Sequence, residues 1–166
     1  MQLLYSNDKR GAYPNSWYAA TTTPLDPFPV LKGETQADVC VIGAGYTGLS
    51  TALHLAQAGR DVVLIDAQRV GFGASGHNGG QLGTGQRRDQ QELESMVGKE
   101  AALRLWKMGL EAVDLCTDLI ARHSIDCHLK QGVAWSGSSQ SDVDGLHDYA
   151  AHMGTTYGYQ LETHDA

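Results

Sequence analysis

The chemistry easiest to read in this chain lies in six residues, Gly43-Ala44-Gly45-Tyr46-Thr47-Gly48. Their G-x-G-x-x-G spacing suits a turn in which backbone amides, not side chains, face an anion. Gly43 permits the tight turn, Gly45 withdraws a Cβ so that a pyrophosphate can approach, and Gly48 lets the following helix pack close to the strand before it. The spacing alone is a weak signal, and its surroundings strengthen it. Val62-Val63-Leu64-Ile65 is a second apolar run that ends in Asp66, 23 residues after Gly43. An acid there can accept hydrogen bonds from ribose hydroxyls, and its charge repels a 2′-phosphate, which disfavours NADP. The phosphates themselves belong at a helix N-terminus, where free N–H groups and the dipole favour negative charge. NAD and FAD share the ADP half, so the fingerprint leaves both open.

These residues need a frame. Val39-Cys40-Val41-Ile42 reads as a strand buried on both faces of a parallel sheet, and Val62–Ile65 as its neighbour. Between them, Leu49, Ala52, Leu53 and Ala56 share one face of a helix over 46–58, with Gly59 as its stop. The unit is βαβ with a right-handed crossover, so the expected class is α/β, the start of a doubly wound parallel sheet. Residues 1–36 hold all four prolines and no sustained period; they read as an extended arm that Tyr13, Trp17 and Tyr18 pin down. Further on, Leu103, Trp106, Leu110, Val113, Cys116 and Ile120 recur every three or four residues within a helical stretch over 89–123, broken near Gly98. A strand over 127–136, a helix over 141–153 and the start of a strand over 160–163 complete the expected order.

Glycine is concentrated where the site is: of 20 in the chain, 11 fall between Gly43 and Gly85. The loop over 67–87 is too long for a mere connection. Its small residues and free amides suit close approach to a flat cofactor, something an NAD domain does not need. Asp38 to Ser50, followed by Gly71-Phe72-Gly73-Ala74-Ser75-Gly76-His77-Asn78-Gly79-Gly80-Gln81, resembles the FAD-binding start of the D-amino-acid-oxidase-like (DAO) flavoproteins. Ser16-Trp17-Tyr18-Ala19-Ala20-Thr21 is similar to members of that family as well.

The resemblance implies FAD as cofactor and a Rossmann-like FAD-binding domain. The ADP half would lie over Gly43, Gly45, Tyr46, Thr47, Gly48 and Asp66, with Ala67 and Arg69 beside it. The flavin side would lie near Ala74, Ser75, Gly76, His77, Asn78, Gly79, Gly80 and Gln81. It further implies oxidation of a C–N bond of an amine or amino acid, with the imine hydrolysed by water and oxygen reduced to hydrogen peroxide. His77 stands where the resembling proteins carry Arg; a hydrogen-bonded or solvent-facing imidazole is its expected role, in preference to covalent attachment of the cofactor. Two other readings stay open here, an NAD-linked dehydrogenase domain and a cofactor-binding module without catalysis.

Composition narrows the remaining classes. With 19 acidic and 12 basic residues, the chain carries a formal charge of −7 and no basic run, which argues against nucleic acid as partner. No apolar run approaches the ~20 residues of a bilayer span, and residues 1–8 turn polar too early for a signal-peptide core. A cytoplasmic compartment and a small-molecule substrate are expected, while the residues indicate no oligomeric state. Cys40, Cys116 and Cys127 match no disulfide or metal spacing and are expected to be core thiols. His123, Cys127 and His128 lack a fourth ligand in register, and Asp142, Asp144 and Asp148 read as a solvated helix face. A complete doubly wound domain has about six strands. The chain is therefore expected to be an amino-terminal fragment, inactive alone, with 1–36 as arm, 37–125 as FAD domain and 126–166 as the start of a substrate domain.

Overall fold

The computed structural model describes residues 9–164. The signal-peptide reading of residues 1–8 lies outside the described residues. The chain divides into two compact units, Met1–Gly80 and Gln81–Ala166.

In the first unit a short helix, α1 (Trp17–Thr21), precedes β1 (Val39–Ile42), α2 (Tyr46–Gln57) and β2 (Val62–Ile65). The strands pair in parallel, Val39 opposite Val62 and Ile42 opposite Ile65, so the expected βαβ unit is present. The two-residue period puts Val39, Val41, Val62 and Leu64 on one face and Cys40, Ile42, Val63 and Ile65 on the other. α2 covers the first face. It does so with Gly48, Ala52 and Leu55 rather than through Leu49, which stays exposed. The point of closest approach decides this facing: a Cβ at Gly48 would touch Val41 Cγ1 at 3.4 Å.

The expectation that both strand faces are buried is corrected. Cys40 and Ile42 are exposed, Ile42 by 80%. Among the described residues only the end of the arm reaches that face, where Leu31, Thr35, Gln36 and Ala37 line a cavity with Cys40, Val63 and Ile65. The cysteines are corrected with it, since all three are exposed: Cys40 on the open sheet face, Cys116 on a helix and Cys127 in irregular chain. Of the aromatics expected to pin the arm, Tyr13 does so by donating its hydroxyl to Val70 O at 2.8 Å, whereas Trp17 remains 77% exposed.

The second unit is helical, with α3 (Gln90–Val97), α4 (Lys99–Arg122), α5 (Gln140–His152) and a π turn, Met153–Tyr157. Gly98, at φ 81°, breaks α3 from α4 as the sequence predicts. Ser139 caps α5 by accepting from Asp142 N at 3.2 Å. The strands expected over 127–136 and 160–163 are irregular instead; alternation makes a strand only where a neighbour offers a ladder, and the described residues place none beside them. The core gathers Leu93, Ala102, Trp106 and Met153. Trp106 is therefore core, but Leu103 and Cys116 of the same stripe are exposed and Leu110, Val113 and Ile120 half-buried. Length accounts for this: the 24 residues of α4 extend about 36 Å, and the 8 of α3 only about 12 Å.

A polar network runs through this core. Gln90, 1% exposed, donates from Nε2 to Ala102 O at 2.7 Å and to the Tyr157 hydroxyl at 3.1 Å. Tyr157 in turn donates to Glu94 Oε1 at 2.7 Å, and His152 Nε2 lies 2.8 Å from the same oxygen. The Tyr157 hydroxyl bond, followed by the hydrogen bond and charge of His152, holds the Glu94 carboxyl below its ordinary 4.5 against the opposing effect of burial. A carboxyl with a depressed folded pKa stabilises above its unfolded value and loses that contribution as pH falls through the folded one. Thermal unfolding followed by circular dichroism is thus expected to show stability falling below about pH 4.5, and Glu94→Gln should flatten that acid limb.

Candidate functional site

The site begins where β1 runs out. Gly43 N still donates to Ile65 O at 2.8 Å, continuing the ladder by one bond, and then turns the chain at φ 103°. Ala44, 1% exposed, is held at both ends of its backbone. Its N–H donates to Asp66 Oδ2 at 2.7 Å, and its C=O accepts from Gly71 N at 2.8 Å. Asp66 Oδ1 accepts from Gln68 N at 2.7 Å. The acid is thus fixed by one N–H on each oxygen, and each oxygen keeps a lone pair for a further donor.

Beyond Ala44 the chain enters α2 through Gly45, which offers no side-chain cap. The hydroxyl of Ser75 supplies it, with Oγ accepting from Tyr46 N at 2.9 Å. Thr47 and Gly48 occupy the rest of the first turn, where an amide has no carbonyl one turn earlier to donate to. A Cβ at Gly45 would stand 2.8 Å from Ser75 Oγ, and one at Gly48 would stand 1.8 Å from Gly43 O. Gly48 is therefore required by a main-chain contact that already exists, while a Cβ at Gly45 would displace the Ser75 hydroxyl, and Gly45 keeps the approach to the first turn open.

The second glycine-rich loop packs onto this turn. Ala74–Gly76 form one 3-10 turn, and His77 Nδ1 lies 2.7 Å from Gly73 O. Against a carbonyl oxygen Nδ1 is the donor, a hydrogen-bonded imidazole as the sequence suggests. Asn78 Nδ2 lies 2.8 Å from Ser75 O, 3.3 Å from Ala74 O and 3.2 Å from the Tyr46 hydroxyl, while its Oδ1 accepts from Gly80 N at 2.8 Å. Gly43, Gly45, Tyr46, Thr47, Gly48, Asp66, Ala74, Ser75, Gly76, His77 and Asn78 are thus gathered around one strand end and one helix end. Ala67 sits exposed in the turn after Asp66, Gly79 and Gly80 are exposed at the loop's end, and Gln81 opens the second unit.

Arg69 turns elsewhere. Its guanidinium donates to Gly11 O at 3.3 Å and to Leu25 O, and it lies 4.8 Å over the Tyr13 ring. With Gln68 Oε1 accepting from Gly11 N at 2.7 Å, residues 68–70 moor the arm beside the acid. Gln68 is missing from the residues singled out by sequence, and a lone glutamine after an acid gives no pattern by which to find it.

A dinucleotide fits this arrangement. The open first turn of α2 suits a pyrophosphate, the second lone pairs of Asp66 suit a diol, and the glycine loop leaves the surface beside the turn flat. Asp66→Ala is expected to weaken ADP binding by about 1–3 kcal/mol, and to lower stability by a similar amount because the Ala44 amide then lacks an acceptor. Calorimetric titration and urea unfolding measure the two, and no change in either would reduce Asp66 to a surface acid. Gly48→Ala is expected to cost about 3 kcal/mol in the same unfolding experiment.

No solved structure matches the chain. Among curated proteins it is 40% identical to gamma-glutamylputrescine oxidoreductase of Escherichia coli K12 over 152 residues, covering 92% of this chain and 36% of that protein. It is 43% identical to probable oxidoreductase OrdL of Rhizobium meliloti over 144 residues, covering 87% and 34%. A shorter match, 53% over 45 residues, links 26% of the chain to 11% of D-amino acid dehydrogenase 2 of Pseudomonas aeruginosa. The chain thus spans about a third of the length of the first two relatives. The glycine turn, the acid and the second loop all fall within residues 38–166, which match the model of the FAD dependent oxidoreductase family called DAO, and to that family the chain belongs.

Proposed function

We propose that the whole protein represented by this chain oxidises the C–N bond of a small-molecule amine or amino acid, with oxygen as electron acceptor and hydrogen peroxide as product. The observation that carries the reading is the joining of two glycine loops at one helix end, by Gly71 N to Ala44 O and Ser75 Oγ to Tyr46 N, beside an acid at a strand end. Two relatives support the substrate class by name, one for gamma-glutamylputrescine and one for D-amino acids.

In this reading Asp66 holds the ribose hydroxyls, the first-turn amides of α2 face the pyrophosphate, and the loop over 74–81 borders the flavin. Bound FAD supplies a two-electron acceptor for the C–H bond next to nitrogen, leaving an imine for water to hydrolyse. The chain's own part is to bind and orient. The reacting side chains are proposed to lie in the two thirds of the relatives' length that this chain does not span, with residues 37–125 serving the cofactor and 126–166 beginning the substrate segment. Residues 1–166 alone are accordingly proposed to be inactive. No helix among the described residues is long and apolar enough to cross a membrane. The proposed compartment is the cytoplasm, and the net charge of −7 without a basic run favours a small-molecule over a nucleic-acid partner.

The whole protein is expected to purify yellow and to release FAD on denaturation, identified by chromatography, and to produce peroxide with an amine or amino acid. A colourless protein that takes up NAD but not FAD would overturn the reading.

A further inference from the structure

The geometry points to Asn78 as a positioning residue that sets the Ser75 hydroxyl at the N-terminus of α2 and so governs how tightly the first helical turn holds a phosphate. The inference rests on the dinucleotide reading and assigns to Asn78 a role other than contact with the cofactor. The bond at issue joins Ser75 Oγ to Tyr46 N at 2.9 Å, and Asn78 grips both of its partners. It holds Ser75 through that residue's carbonyl at 2.8 Å and Tyr46 through the phenolic oxygen at 3.2 Å, with Ala74 O at 3.3 Å as a third acceptor.

The carboxamide's orientation is settled by its neighbours. Gly80 N can only donate, so the oxygen that takes it at 2.8 Å is Oδ1, and the nitrogen faces the three oxygens. A primary amide has two N–H donors. Three acceptors already share them, so Asn78 has no donor left for a ligand. What it can do is hold the 3-10 turn of Ala74–Gly76 at a fixed distance from the first residue of α2.

That distance matters to a phosphate. Ser75 Oγ occupies the Tyr46 amide as an acceptor, and its own O–H remains to donate outward. A phosphate at this turn therefore meets a hydroxyl donor beside the amides of Thr47 and Gly48. The space is narrow: a single Cβ at Gly45 would come within 2.8 Å of that hydroxyl. A shift of the loop by about 1 Å would carry the hydroxyl out of hydrogen-bond range of the amide and displace the donor.

The test is a double-mutant cycle in the whole protein, reading FAD affinity by the change in flavin fluorescence on binding, together with displacement of FAD by ADP and by adenosine. Asn78→Ala is expected to lower FAD and ADP affinity about tenfold, in line with the loss of one or two hydrogen bonds. Adenosine, which has no phosphate, should compete as it does in the wild type. In a Ser75→Ala background the same Asn78→Ala change should cost less than about twofold, because the residue it acts through is gone. Tyr46→Phe, which removes one exposed oxygen and leaves the backbone bond intact, gives a second variant that folds without difficulty, with an expected loss of about twofold to threefold in ADP affinity.

An equal tenfold cost with and without Ser75 would overturn the inference. So would an equal loss of adenosine binding, which would make Asn78 a general structural residue, or an Asn78→Asp protein that binds ADP as the wild type does despite losing both donors. If the wild-type protein binds no FAD, the dinucleotide reading falls and this inference with it; if it binds FAD and the cycle is additive, only the inference falls.

Discussion

The peptide of Ala44 is the joint on which the first unit depends. Its N–H ends on Asp66 and its C=O begins the second glycine loop at Gly71, so one buried residue ties a strand end, an acid and a loop into a single turn. Buried backbone groups without partners are costly, so neither bond can be released without cost. Everything that would touch a dinucleotide hangs from this joint: the helix that follows it, the acid that anchors it and the loop it receives.

The first unit is held more by such backbone bonds than by a core. Ala44 is fully buried there, while Ile42, Leu49, Phe28 and Val30 are exposed. The second unit reverses the balance, packing Trp106 against Tyr157 and Tyr159, at ring-centroid distances of 5.8 and 5.1 Å, over a buried glutamine. Glycine carries the precision of the first unit because close approach needs the absence of atoms, and a Cβ at Gly48 would fall inside contact distance of a carbonyl. A side chain can be repacked, but a main-chain oxygen at that distance cannot be moved without undoing the turn.

What was legible in the sequence follows from this. The βαβ unit, the Gly98 break and the α5 helix are local patterns, set by periodicity and by glycine at fixed places, and they stand within a residue or so of where they were expected. Burial was less legible because it depends on what lies opposite. Val39–Ile42 reads as doubly buried on apolarity alone, yet its second face meets only the arm among the described residues. Cys40, Cys116 and Cys127 fail for the same reason, and the loose alternation over 127–136 had no strand to pair with. Around the turn, Gly43, Gly48 and Asp66 have structural reasons for their types: a positive φ, a main-chain oxygen where a Cβ would stand, and a carboxylate on the buried Ala44 amide. The partners of Arg69 are not legible from the sequence: an arginine beside an acid suits a phosphate as well as it suits the carbonyls of Gly11 and Leu25 and the ring of Tyr13, all far earlier in the chain.

One electrostatic difficulty in the site resolves itself in the geometry. A carboxylate and a pyrophosphate are to be held at neighbouring ends of one turn, and like charges at close range disfavour each other. The structure separates the donors that serve them. Asp66 accepts from Ala44 N and Gln68 N, at and just beyond the strand ends, whereas the amides of Tyr46, Thr47 and Gly48 belong to the helix and carry the positive end of its dipole. Ser75 Oγ accepts from Tyr46 N at 2.9 Å, and its own O–H is left to donate outward beside the amides of Thr47 and Gly48. The acid's hydrogen bonds therefore draw on none of the groups a phosphate would need, and the peptide of Ala44 keeps the two sets apart by fixing the turn between them.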